Sequence, residues 1–238
     1  MFFIMLMAQF SIGILNDWAD RFSDARAGRK RPVAIGRIAP GIALGLAVAL
    51  GLVAIAGAAS FGLKSFVLVL VGLGAGWAYD VFLKPTVLSF VPFAIAFPVL
   101  VVWVAEVAGR PLPMGWLIPL GGVPLAIAIH LADAIPDRRY DADAGLRTLP
   151  VVLGFPRTEL IAGALLMIGV ATMFWGIWRI GLSPWPLLSS LVLVALYFLN
   201  ALSRTSRDPA LATQTAKFCL IGDAAICGVM LTLAASHG

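Results

Sequence analysis

The chain has 238 residues, of which 61% are hydrophobic and only 12% charged, and its mean hydropathy is +0.99. That balance excludes an ordinary soluble globular domain and makes the chain an all-α, polytopic membrane helical bundle, read as one membrane-embedded domain over residues 1–238. The net charge of +5 does not point to nucleic acid, because the basic residues interleave with carboxylates beside apolar runs.

Mainly apolar stretches predict eight transmembrane helices, at about 1–15, 40–59, 65–80, 87–108, 115–131, 158–178, 185–200 and 213–235. The runs are continuous and lack alternation, so membrane strands are not expected. No basic segment precedes the first run, which therefore does not read as a signal peptide. Gln9 within it lies seven residues before Asn16, on nearly the same helical face, and either looks into the bundle or bonds to a neighbouring helix.

The first run closes on Asn16-Asp17-Trp18-Ala19-Asp20-Arg21-Phe22-Ser23-Asp24, and the fifth leads into Asp133-Ala134-Ile135-Pro136-Asp137-Arg138-Arg139-Tyr140-Asp141. These two segments hold half of the chain's twelve carboxylates. Asp20 and Asp24, and Asp133, Asp137 and Asp141, recur every fourth residue and share a helical face, where like charges repel. A hard divalent cation offsets such repulsion, prefers carboxylate oxygens and leaves coordination positions for phosphate. Both segments continue into a basic stretch ending in Pro, Arg29-Lys30-Arg31-Pro32 and Arg147-Thr148-Leu149-Pro150, which suggests an internal duplication. A transporter could show the same symmetry. Guanidinium groups beside metal-ligating acids favour chemistry on a phosphate.

With eight crossings, the loops after the odd-numbered helices and their flanks hold fourteen Lys and Arg, against Lys64, Arg110 and Arg179 on the other side. The positive-inside rule then places both acidic segments on the cytoplasmic face of a multi-pass protein of the cell (plasma) membrane. Pro92 and Pro98 in the fourth helix, and Pro119 and Pro124 in the fifth, predict kinks. Trp77, Trp103, Trp116, Trp175, Trp178 and Trp185 mostly fall near predicted helix ends, as an interfacial belt would have them. Cys219 and Cys227 read as small buried thiols.

Asn16-Asp17-x-x-Asp20-x-x-x-Asp24, with Arg31-Pro32 and Gly36-Arg37 after it, resembles the first signature of the UbiA family of intramembrane prenyltransferases. Asp133-x-x-x-Asp137-x-x-x-Asp141, continuing to Arg147-Thr148-Leu149-Pro150, resembles the second, and Tyr79-Asp80-Val81-Phe82-Leu83-Lys84 resembles the family's Tyr-to-Lys motif. Here four residues separate Tyr79 from Lys84 where many members have three. The family usually has nine helices and this sequence supplies eight, as though an N-terminal helix were missing. The resemblance implies Mg²⁺ held by Asn16, Asp20, Asp24, Asp133 and Asp137, a prenyl diphosphate gripped by Arg31, Lys84 and Arg147, and Tyr79 beside the allylic carbon. The implied partners are membrane lipid, a prenyl diphosphate donor and a lipophilic acceptor, by default aromatic or a quinone precursor. Glycerol phosphate ether lipids as acceptors, or terpene cyclisation without any acceptor, are the family's other outcomes.

Other polar residues carry two readings each. Asp17 either ligates or caps the next turn, and Asp141 either joins the substrate site or pairs with Arg138 or Arg139. Asp80 and Asp143 read as surface residues. His130, three residues before Asp133, reads first as a hydrogen-bonded helix-end histidine, and Asp223 faces the bundle interior as an acceptor-positioning or interhelical group.

Overall fold

A computed structural model of the chain describes residues 1–202 except 113, 136–137, 144 and 182–184, together with 218, 222, 226 and 229. Among these residues all regular structure is helical. The long elements are α1 (Phe2–Ala19), α3 (Pro40–Ala59), α4 (Leu63–Ala78), α5 (Val91–Val107), α6 (Val123–Ala134), α9 (Phe155–Ile180) and α10 (Trp185–Leu202). Between them lie three short helices: α2 (Arg21–Arg26), α7 (Arg138–Asp143) and α8 (Leu149–Leu153). Two π-helical turns, Tyr79–Leu83 and Ile118–Gly122, extend α4 at its end and α6 at its start.

Four of the described stretches, Phe2–Ala19, Pro40–Ala59, Leu63–Leu83 and Phe155–Gly176, are long and apolar enough to cross a bilayer, while Val91–Val107 and Ile118–Ala134 are shorter apolar helices. The helix expected at 213–235, with Asp223, Cys219 and Cys227, falls almost wholly outside the described residues.

The first half packs through small side chains. On α3 the buried positions are Ala43, Ala47, Gly51, Ala54 and Ala58, a stripe at three- and four-residue spacing that lets α1 lie close. At its centre Trp77 Nε1 donates to Ser11 Oγ at 3.0 Å, and Ser11 in turn donates to the Ala47 carbonyl at 2.7 Å, tying α4, α1 and α3 together. A Cβ at Gly51 would meet the Trp77 ring at 2.7 Å, so this close approach needs glycine. The second half is filled by larger groups: Leu117, Leu125, Leu166, Val170 and Met173 join α6 to α9. Contacts of α5 with both α4 and α6 connect the two halves.

The prolines expected to kink their helices occupy different positions. Pro92 sits in the first turn of α5, where a missing N–H costs nothing, whereas Pro124 follows directly on the π-helical turn that leads into α6. Pro119 lies in the π-helical turn Ile118–Gly122, and Pro98 remains inside a continuous α5.

The tryptophans also divide. Trp178 and Trp185 are exposed, as a lipid-interface belt requires, but Trp103 is only 3% exposed and belongs to the core. The belt reading is corrected for Trp103: its indole N–H donates to Ser65 Oγ at 2.8 Å, a partner that lets a large ring bury completely.

Candidate active site

Helices α1, α4 and α6 finish at the same end of the bundle, and the segments after them carry the polar chemistry. Asn16 and Asp17 lie in the last turn of α1, which runs four residues past its apolar stretch to Ala19, and Asp20 joins it to α2. Lys84 reaches across from the end of α4. Its Nζ donates to Asn16 Oδ1 at 2.9 Å and pairs with Asp20 Oδ2.

The π-helical turn explains how. In this turn the backbone N–H of Lys84 bonds to the Tyr79 carbonyl at 2.9 Å, five residues back instead of four. The one residue by which the Tyr-to-Lys spacing exceeds the usual motif is absorbed there, so Lys84 still returns over Tyr79, its Nζ 6.0 Å from the ring centre.

Tyr79 lies between the two acidic segments. It lies within electrostatic reach of Asp20 on one segment and of Asp133 and Asp141 on the other. The loops are also joined directly, the Arg147 N–H donating to the Pro85 carbonyl at 3.2 Å. Beneath, Tyr79 packs edge-on against Phe93 at 5.0 Å and against the His130 ring at 5.8 Å, and His130 Nε2 bonds with Ser89 Oγ at 2.9 Å. His130 is thus the hydrogen-bonded helix-end residue of the simpler reading, contributed to by Ser89, which the sequence did not single out.

The remaining expected residues are distributed as follows. Asp24 is 3% exposed and pairs with Arg29 at 3.3 Å. Asp17 pairs with Arg31 at 3.1 Å, so the residue expected on the diphosphate rests here on a carboxylate fourteen positions earlier. Asp133 is exposed at the end of α6, Arg147 is exposed, and Asp141 accepts a hydrogen bond from Thr148 Oγ1 at 3.2 Å. Asp143 is exposed as expected. Asp137 lies outside the described residues.

Asp80 is the correction. It was expected at the surface, yet it is 6% exposed and its Oδ2 has no hydrogen-bond partner among the described residues. Lys84 and Asp20 are its charged neighbours. A carboxylate next to Tyr79 in an apolar run was the available sign; its burial comes from the way the π-helical turn packs against α1.

Among the described residues no three His, Cys, Asp or Glu side chains converge as a self-sufficient metal site. The oxygen donors of Asn16 and Asp20 nevertheless fit a hard cation, since an ammonium already sits on both. Mg²⁺ commonly takes one or two carboxylates and completes its shell with water and phosphate.

The sequence model of the UbiA prenyltransferase family matches residues 1–221. A 4-hydroxybenzoate octaprenyltransferase of Cupriavidus necator is 30% identical over 146 residues, 59% of this chain and 50% of that protein, so the chain matches about half the length of this curated relative. The apo structure of a UbiA homolog from Aeropyrum pernix K1 superposes with a TM-score of 0.73 at 18% identity, covering 97% of this chain and 86% of that one. A UbiA homolog from Archaeoglobus fulgidus bound to GPP and Mg²⁺ gives 0.65 at 18% identity, covering 97% and 88%.

Proposed function

The chain belongs to the UbiA prenyltransferase family, whose members are integral membrane proteins, and from that premise we propose that it transfers a polyprenyl group from a prenyl diphosphate to an acceptor inside the bilayer. The observation that carries this reading is the placement of Lys84, held by Asn16 and Asp20 directly over Tyr79 at the meeting point of both acidic segments. A cation over an aromatic face, with carboxylates around it, is an arrangement suited to a polyanionic head whose leaving exposes positive charge on carbon.

In this reading the donor's diphosphate lies among the loops and Lys84 transfers its hydrogen bonds from Asn16 and Asp20 to phosphate oxygens. Arg31 and Arg147 bind the same head, Arg31 leaving Asp17 to do so. Asn16, Asp20, Asp24, Asp133 and Asp137 would hold Mg²⁺, with Asp141 beside them. Bound there, the metal supplies charge neutralisation that makes diphosphate a good leaving group. The face of Tyr79 stabilises the allylic cation, and the apolar helices keep water from it until the acceptor attacks. Mg²⁺ and a prenyl diphosphate also occur together in the Archaeoglobus fulgidus homolog, which supports the donor class.

The name of the Cupriavidus necator relative supports an aromatic or quinone-precursor acceptor. The charge asymmetry of the loops supports a cell-membrane protein with its acidic segments on the cytoplasmic side. Incubating purified protein with Mg²⁺, labelled prenyl diphosphates and a panel of acceptors tests the reading. Diphosphate release that requires Mg²⁺ and disappears in Asp20→Ala supports it. Absence of release with every donor and acceptor would sink it.

A further inference from the structure

We propose that Trp103 sets the length of prenyl chain that the donor site accepts, an inference that rests on the prenyltransferase reading above. A cavity of about 180 Å³ lies between α1, α4 and α5, walled by apolar groups such as Ile4, Ala8, Leu68, Phe97 and Trp103. A run of contacting rings spans the interval between it and the polar site. Tyr79 meets Phe93 at 5.0 Å, and Phe93 stacks on Phe97 at 6.4 Å and 20°, so one wall of the cavity continues the aromatic surface beneath Lys84.

The cavity leads away from the loops. Its lining on α1 begins at Ile12, one turn from Asn16, and ends at Ile4, a depth of about 12 Å at 1.5 Å per helical residue. Trp103 lies six residues beyond Phe97 on α5, about 9 Å further from Tyr79. Its hydrogen-bond partner Ser65 belongs to the first turn of α4, whereas Tyr79 follows the last. Trp103 therefore stands at the end of the cavity remote from the diphosphate.

It is also fixed there. Both Trp103 and Ser65 are buried, at 3% and 0% exposure, and the indole packs in the same core as Ala54, Ala58 and Leu73. A side chain so held cannot swing aside without leaving the Ser65 hydroxyl unsatisfied. The volume is small beside the roughly 300–1,000 Å³ typical of drug-sized ligand pockets, so it takes a short length of isoprenoid chain before the ring is reached.

The test is binding of unreactive geranyl, farnesyl and geranylgeranyl S-thiolodiphosphates, with Mg²⁺, to the full chain in lipid nanodiscs. This readout needs no acceptor. Trp103→Ala should improve the affinity for the geranylgeranyl analogue relative to the geranyl one by about tenfold or more, because each further buried methylene contributes roughly 0.8 kcal/mol. Trp103→Phe, which keeps an aromatic core, should give a smaller shift in the same direction, and Val69→Phe, which narrows the cavity, the opposite one. An unchanged ratio in folded Trp103→Ala or Trp103→Phe, with geranyl binding retained, overturns the assignment and leaves the prenyltransferase reading standing. Failure of the unsubstituted protein to bind any of the analogues overturns both.

Discussion

The two acidic segments look like copies in sequence but behave differently in the folded chain. In the first, each carboxylate meets a basic group: Asp17 has Arg31, Asp20 has Lys84 and Asp24 has Arg29. In the second, Asp141 is held by the Thr148 hydroxyl and Asp133 is exposed at a helix end. One wall is compensated by the chain's own cations before any ligand arrives, and Lys84 is drawn from a third segment to do it. A polyanion with its metal would have to exchange those internal pairs for new ones on the first side. Exposed pairs such as Asp17–Arg31 add little stability, so the exchange costs little there.

The largest expected effect is at the pair that ties the first segment to Lys84. Asp20→Ala should lower the rate of Mg²⁺-dependent diphosphate release by about 10³-fold, since it removes an oxygen donor and leaves Lys84 held only through Asn16. Measured beside it, Asp133→Ala should raise the Mg²⁺ concentration needed for half-maximal rate without altering how Lys84 is held. Equal behaviour of the two variants in Mg²⁺ titrations would abolish the distinction between the walls. Lys84→Met should come next, with a loss of about 10²-fold in kcat/KM for the donor. If Lys84 only neutralised Asp20, the loss would appear in kcat and in the Mg²⁺ dependence with the donor KM unchanged; the expectation for a phosphate-binding lysine is a rise in donor KM.

Much of the bundle was legible because hydropathy is local. The run at 40–59 coincides with Pro40–Ala59, and that at 185–200 with all but the end of Trp185–Leu202. Helix ends were less legible where polar residues continue a helix, as Asn16 and Asp17 do in α1. The acidic segments and Tyr79 to Lys84 could be recognised as a set, yet nothing in their spacing revealed a π-helical turn, which depends on how α4 ends against α1. Asp80 and Trp103 were misplaced for a related reason. A carboxylate near a loop and a tryptophan near a helix end have sound surface readings, and only the packing of Asp80 beside Lys84 and of Trp103 against Ser65 buries them.

On the second wall the Thr148 hydroxyl offers a finer probe. Thr148 is buried, and its bond to Asp141 links α7 to the extended residue before α8, beside the backbone bond from the Leu146 N–H to the Asp141 carbonyl. Thr148→Val keeps the shape and removes the bond, a change of about 1 kcal/mol or roughly fivefold. The expected result is a fivefold rise in donor KM with kcat nearly unchanged, which steady-state release at saturating Mg²⁺ would reveal. A fall in kcat instead would place Asp141 at the reacting centre.

The smallest effect is expected from shortening the Tyr-to-Lys motif. Phe82 is 70% exposed in the π-helical turn, so deleting it removes a lipid- or solvent-facing side chain and not a core one. Without the extra residue the segment can wind as ordinary α-helix, with the lysine four positions after Tyr79 and on nearly the same face. Release activity should stay within about threefold of the parent, because rotating a helix through a four-residue turn and through a five-residue π turn brings the lysine back to a similar direction. Deleting Gly74, one turn earlier inside α4, is the control: it turns Tyr79 and Lys84 together away from Asn16 and Asp20 by about 100°. Equal loss from both deletions would show that Lys84 depends on the π turn itself. Tolerance of the first alone would show that the first wall needs only the register between an aromatic ring and a lysine, and that this chain reaches that register by a longer path.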